Sequence, residues 1–200
     1  RIVKGAWAGL PIYTVSLEER ATCPRSCKMW RGCYGNQMPF AKRWKHGDEF
    51  ECALLADLAR LGRKHRNGFA VRIHVLGDFY SPQYVSVWRE ALQTIPGLHV
   101  WGYTARESGT AIGDAINDLN LDFYGRCAIR RSGIETIVVN DASEAKGAVV
   151  CPVETGATPN CGSCGLCWAD AARDKIIAFI FHGMVGGRKP RVPKHVAGPL

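Results

Sequence analysis

The sequence predicts an α/β fold: a parallel sheet with crossover helices, closing as a partial, open TIM-like barrel, with a Cys-rich metal-binding segment toward its C-terminal end. Three observations lead there. Apolar runs of strand period and helix period alternate along the chain; polar and ionisable residues collect where each strand hands over to its helix; and seven of the nine cysteines fall into two tight groups, one toward each end.

Residues 13–17 alternate in a β-prone way and run straight into the first cysteine group, which makes that group a loop at the end of a first strand. From Asp48, Phe50, Leu54, Leu55, Leu58 and Leu61 recur at helical spacing, and Asn67-Gly68 marks the stop. Residues 71–76 form a second strand and Gly77-Asp78-Phe79-Tyr80 a loop. Ser81-Pro82 then supplies an N-cap and a first-turn proline. The following helix carries Val85, Trp88, Leu92 and Ile95 on one face and ends before Pro96-Gly97. A third strand, 98–104, leads through Arg106 into a shorter helix with Ile112, Ala115, Ile116 and Leu119 on one face, and 121–129 read as a fourth strand. Residues 135–139 and 175–181 are further strands with the second cysteine group between them. The reading is one domain, 1–185, with the Cys-rich segment 151–168 inserted near its end and a basic flexible tail at 186–200.

A chain of 200 residues with 46% hydrophobic residues can bury a sizeable core. The longest apolar stretch, 176–181, is far too short to span a bilayer, and Arg1-Ile2-Val3-Lys4 is not a signal core, so an intracellular protein without membrane contact is expected. Of the net charge of +8, Arg188, Lys189, Arg191 and Lys194 in the tail supply half. The clusters Lys42, Arg43, Lys45 and Arg60, Arg63, Lys64, Arg66 add to it and make nucleic acid a candidate partner. Trp30, Tyr34, Trp44 and Tyr80 could stack bases there, with ordinary packing as the competing reading.

In a parallel sheet the loops after the strands build the site, which singles out the cysteine loop, then Gly77 and Asp78, then Tyr103, Thr104 and Arg106. Arg72 and His74 alternate with Val71, Ile73 and Val75, so one face of the second strand is expected to line a polar cavity; the alternative is an edge strand with both in water.

The odd cysteine number and the absence of secretory signs favour metal over disulfides. The first group is Cys23-Pro24-Arg25-Ser26-Cys27, then Cys33-Tyr34. Three thiolates can hold three irons of a four-iron cluster and leave one corner open for a substrate or cofactor; zinc completed by His46 or a remote ligand is the alternative. The second group is Cys151-Pro152 and Cys161-Gly162-Ser163-Cys164-Gly165-Leu166-Cys167-Trp168. Four thiolates suit a closed 4Fe-4S cluster or a zinc ion. Cys52 and Cys127 read as small buried hydrophobes. Cys-His catalysis through His74, His99 or His182 is a minor alternative, and P-loop, Gly-x-Ser-x-Gly and His-Glu-x-x-His signatures are absent from the sequence.

Residues 13–17 running into Cys23, Cys27 and Cys33-Tyr34 resemble the first strand and cluster loop of radical-SAM (S-adenosylmethionine) enzymes, and Gly77-Asp78-Phe79 lies where that superfamily has a Gly-Gly-Glu segment. The last cysteine gap is five residues rather than the superfamily's two, one Gly precedes the acidic residue, and that residue is Asp. This resemblance implies that Cys23, Cys27 and Cys33 ligate a 4Fe-4S cluster whose open iron binds SAM, that Gly77 and Asp78 contact the SAM amine, and that SAM is cleaved reductively to a carbon radical. The Cys-Pro entry, the Gly-Asp-Phe loop and the Cys-Gly-x-Cys-Gly-x-Cys-Trp ending also resemble the phage gene product 88 family from about residue 13 to 182, which implies the metal groups and a phage-infected or lysogenic bacterial cytoplasm without naming a reaction. The expectation is therefore an iron-sulfur, radical-SAM-like enzyme modifying nucleic acid or a nucleobase. Cys151, Cys161, Cys164 and Cys167 would hold a second centre, Asp78, Arg72, His74, Tyr103 and Arg106 would act at the site, and a reductase would be a partner. The alternatives are a zinc-stabilised nucleic-acid-binding protein and an electron carrier.

Overall fold

The computed structural model describes residues 2–7 and 9–181. Two strands, β1 (Ile2–Trp7) and β2 (Leu10–Thr14), form an antiparallel hairpin at one edge of the main sheet. β2 then pairs in parallel with β3 (Phe69–Ile73), β3 with β4 (Leu98–Thr104) and β4 with β5 (Cys127–Arg131), so the sheet order β1-β2-β3-β4-β5 follows the chain. The crossovers hold α1 (Glu19–Thr22) and α2 (Asp48–Lys64), then α3 (Pro82–Thr94), then α4 (Ala111–Asp122). A second, separate sheet of β6 (Thr136–Val139), β7 (Val149–Val150) and β8 (Ile177–Ile180) is parallel in the order β6-β8-β7, and α5 (Cys161–Cys164) is a single turn within the second cysteine group.

Local chemistry sets the helix starts. Ser81 Oγ accepts from the Tyr84 amide with Pro82 in the first turn, and Thr110 Oγ1 accepts from the Gly113 amide. α2 starts at Gly47 without a side-chain cap, but Asp48, Glu49 and Glu51 in its first turn and Arg63 and Lys64 in its last complement the helix dipole.

One face of the sheet carries Phe69, Val71, Ile73, Leu98, Val100, Cys127 and Ile129, packed against Leu54, Leu58, Trp88, Leu92, Ile116 and Leu119 of the crossover helices. Each such burial contributes roughly 1.5–3 kcal/mol of transfer free energy, which makes this layer the main support of the fold. The other face carries Ile12, Ala70, Trp101 and Ala128 under Trp7 and Trp168.

Two expectations are corrected, one element is added, and one expectation falls outside the described residues. The hairpin strand β1 was not foreseen. The fourth strand begins at Cys127 and not at 121, because α4 continues to Asp122 and Arg126 then donates to the carbonyls of Leu92, Ile95 and Pro96. Cys52 is exposed, since the inward phase of α2 is Glu51, Leu54, Leu58 and Leu61; Cys127 is fully buried as expected. The expected tail, 186–200, and His182 lie outside the described residues.

Candidate metal centre

Beyond β2 the chain stays extended to Leu17, bonded to Arg72 and Leu76 carbonyls, and then turns through α1 into Cys23. Cys27 and Trp30 close successive turns onto Pro24 and Cys27 carbonyls, and Cys33 leads into the 3-10 turn Tyr34–Gln37. Arg43 closes the loop: it donates to both Glu19 carboxylate oxygens at 2.7 and 3.0 Å and to the carbonyls of Gly35, Met38 and Ala41. Burial pushes the Glu19 carboxyl up, but the Arg43 bond, a backbone hydrogen bond and the charges of Arg43 and Arg20 together outweigh it, and the net shift is downward. Gly35 is held so close to this pair that a Cβ there would lie 2.9 Å from Glu19 Oε1 and 3.3 Å from Cys33 Sγ.

Cys23, Cys27 and Cys33 are all part-buried. Burial raises the Cys23 thiol well above its ordinary range, and Asp78, Cys27 and Cys33 raise it further; burial, Asp78 and Cys33 raise Cys27, while the Met29 amide facing it favours its thiolate. The three sulfurs are therefore electrostatic neighbours beneath Asp78, and a metal binding them must displace protons.

Asp78, 3% exposed, ties the strand ends together. Its carboxylate accepts from Thr104 Oγ1 at 2.7 Å and from the amides of Ala105 at 2.8 Å and Phe79 at 2.7 Å, while its own amide donates to Thr22 Oγ1. Arg106 donates to the carbonyls of Phe79 and Thr22. The loops after β2, β3 and β4 are thus laced by Asp78 and Arg106. Gly77 completes the seam, because at φ +90° its hypothetical Cβ would stand 2.7 Å from Leu17 Cβ and 2.8 Å from Thr22 Oγ1.

Across the sheet face opposite the crossover helices lies the second group. Cys151, Cys161, Cys164 and Cys167 line one recess with Pro152, Val153, Leu166 and Trp168. Asn160 caps α5 by accepting from Ser163, and Gly165 ends it in the left-handed conformation. Burial raises the Cys167 thiol to about 11, and raises Cys151 against the amides of Glu154 and Val153 that face it. Trp168 packs on Trp101 with ring centroids 4.2 Å apart, and Arg130, 2% exposed, donates to the carbonyls of Cys167, Ala172 and Lys175.

Arg72 and Tyr103 connect the groups. Tyr103 donates its hydroxyl to Cys167 Sγ at 2.7 Å, and burial followed by the Cys167 charge holds that hydroxyl protonated. The Arg72 guanidinium lies 5.2 Å from the Trp101 ring centroid, with a buried Nε that has no hydrogen-bond partner. Its charge acts on Tyr34 beside Cys33 and on Cys167.

His74 does not join Arg72. β3 ends at Ile73, His74 takes φ 57°, and the broken alternation turns its ring to Phe79 and to Tyr84, whose hydroxyl is 3.2 Å from Nε2. His46 packs on Tyr80. Glu19, Arg43 and Arg130 were missed as site supports; for Arg130 a signal existed, a charge directly after the apolar run Cys127-Ala128-Ile129.

The donors are soft sulfur, suited to iron-sulfur or zinc. Among the described residues no three His, Cys, Asp or Glu side chains stand close enough to hold one metal ion. A zinc ion with Zn–S near 2.3 Å would need its sulfurs drawn to roughly 3.8 Å from one another, whereas in a cluster each thiolate binds a different iron.

Fold and site define an α/β protein with a parallel sheet and two cysteine groups, one at the strand ends and one on the face opposite the crossover helices. The chain belongs to a phage protein family, Gene product 88, whose family model matches residues 3–113. That stretch includes the first cysteine group, Gly77, Asp78 and Arg106, and ends before the second cysteine group. The Gene 88 protein of Mycobacterium phage L5 is 28% identical over 117 residues, covering 48% of this chain. The match spans about half that relative's length, 49%. No solved structure gives a significant match.

Proposed function

We propose that this chain is an iron-sulfur protein of radical-SAM-like design, working in the cytoplasm of the phage-infected or lysogenic host. Cys23, Cys27 and Cys33 would hold a 4Fe-4S cluster with one open iron, and Cys151, Cys161, Cys164 and Cys167 a closed one. When bound, the open cluster supplies a site for SAM and an electron for its cleavage, with a reductase as electron donor.

The observation that carries this reading is Arg72: a cation on the sheet face that bears the second cysteine group, 5.2 Å from the Trp101 ring centroid, whose buried Nε has no hydrogen-bond partner among the described residues. Two supports accompany it. The parallel strands follow one another in chain order with their crossover helices packed on one face, as in a partial, open TIM-like barrel. The strand-end loops converge on the first cysteine group through Asp78.

In this reading Asp78 and Arg106 are positioning residues, since their polar atoms already serve the loops, and Gly77 allows those loops to touch. Arg72 is the group left to meet a ligand, while Tyr103 serves Cys167. His74, turned toward the helices, supports Tyr84. The radical-SAM element rests on residue resemblance and strand order, and the family match adds the phage context alone.

The test is electron paramagnetic resonance of anaerobic, dithionite-reduced protein with and without SAM. A cluster signal that SAM perturbs in wild type and in Cys164→Ala, but not in Cys27→Ala, is expected. A signal indifferent to SAM would leave an electron carrier.

A further inference from the structure

We propose that the segment from Arg20 to Gly47, which carries the first cysteine group, is a binding strap for single-stranded nucleic acid. This rests on the reading above only for what happens to the strand at the cysteines. From Arg20 to Gly47 there is no Asp or Glu, while Arg20, Arg25, Lys28, Arg31, Lys42, Arg43 and Lys45 supply seven cations. Arg43 is consumed by Glu19. The other six are exposed, and among the described residues none forms an ion pair. Such one-sided exposed charge favours a polyanionic partner.

Aromatic rings are interleaved with these cations. Trp30 lies 4.8 Å from the Arg20 guanidinium carbon and 5.9 Å from that of Arg25, and Lys42 Nζ is 3.8 Å from the Trp44 ring centroid. Phe40 is 99% exposed and Trp44 48%. Trp44 is also fixed: its amide bonds to the Ser16 carbonyl and it bridges to Leu17, so the ring is held beside the extended end of β2. Exposed rings set among cations at the level of a chain loop form the stacking platform and backbone track that unpaired bases use. A duplex keeps its bases stacked and could use the cations alone. An anionic membrane would call for an amphipathic helix, and this segment holds, after the start of α1, only one 3-10 turn. Trp30 itself lies between Cys27 and Cys33, so a strand that reaches it from Trp44 and Phe40 would meet the loop that carries the first cysteine group.

The experiment is fluorescence anisotropy of labelled 20-mers, as single-stranded DNA, single-stranded RNA and duplex DNA, titrated with the full chain over a range of salt. At least tenfold tighter binding of a single strand than of the duplex is expected. Lys42→Ala with Lys45→Ala should make the log–log salt slope about 1.4 shallower, near 0.7 for each lost phosphate contact. Phe40→Ala and Trp44→Ala should each weaken binding by about tenfold with the slope unchanged, with Trp44→Phe recovering part of the loss. Replacing Arg188, Lys189, Arg191 and Lys194 by Gln should keep the preference for single strands. Equal binding of duplex and single strand, or ring variants that bind like wild type with normal circular dichroism, overturns the strap. Stronger capture by anionic vesicles than by either oligonucleotide overturns it in favour of a membrane. Iron measured on the same samples separates the two claims: iron without strand binding removes the strap alone, and strand binding without iron removes the iron-sulfur reading alone.

Discussion

The Tyr103 hydroxyl donates to Cys167 Sγ across 64 residues of sequence, joining the end of β4 to the second cysteine group at 2.7 Å. That bond and the tilted Trp101–Trp168 packing attach the Cys-rich segment to the sheet face that also bears Arg72. Hydrogen bonds to ligating sulfur tune a cluster's potential, by favouring the more negative, reduced form. Tyr103→Phe should therefore lower the reduction potential of the second centre by about 40 mV, taking one bond as about 1 kcal/mol. A potentiometric titration followed by absorbance checks this; an unchanged potential would mean the hydroxyl does not meet a ligand.

Arg130 should be the main strap of that segment. Its guanidinium serves three carbonyls while almost fully buried, so Arg130→Met leaves three acceptors without their donor. A loss of about 3 kcal/mol or more is expected in urea unfolding. Proteolysis should shift to residues 151–175, and cleavage confined elsewhere would count against the strap.

Gly77 and Gly109 give a paired test of the strand-end seam. Both have positive φ, +90° and +79°, but a Cβ at Gly109 meets nothing within 4 Å whereas one at Gly77 collides with Leu17 and Thr22. Gly109→Ala should cost about 1 kcal/mol and Gly77→Ala at least twice that, measured by thermal unfolding. Similar costs would show that the loops after β2 and β3 are not packed as described.

Two buried groups should oppose each other in acid. Burial lowers His74 from 6.5 to about 3, so its contribution is present above pH 6.5 and lost as pH falls toward 3. Burial raises Asp78 from 3.8 to about 6 despite its three donors, so its contribution is present below pH 3.8 and lost as pH rises through 6. Between pH 4 and 6 the slopes have opposite sign, each about 1.4 kcal/mol per pH unit. Metal-free wild type should show little dependence there on account of this pair. Asp78→Asn should lose about 1.4 kcal/mol per unit on acidification. Parallel profiles for the two proteins in urea denaturation would contradict the assignment.

Much of this was legible in the sequence because period and punctuation agree: Ser81-Pro82 opens α3, the Leu54, Leu58, Leu61 stripe of α2 faces the sheet, and 98–104 is β4. The cysteine spacing announced both groups. What the sequence could not carry was geometry that depends on one residue's backbone or on distant partners. Alternation put His74 with Arg72, and a single left-handed φ separated them. Asp78 read as a cofactor contact from its loop position, but its partners Thr22, Thr104 and Ala105 come from two other strand ends. Arg43 read as part of a basic cluster, and only the fold brings it to Glu19.

The central claim is that the cysteines hold iron and sulfide. Iron, zinc and acid-labile sulfide should be measured on anaerobically prepared wild type, Cys27→Ala and Cys164→Ala. Iron with matching sulfide in wild type, partly lost in each variant and to different remaining spectra, is the predicted result. Zinc without sulfide, or metal content indifferent to both substitutions, would contradict it.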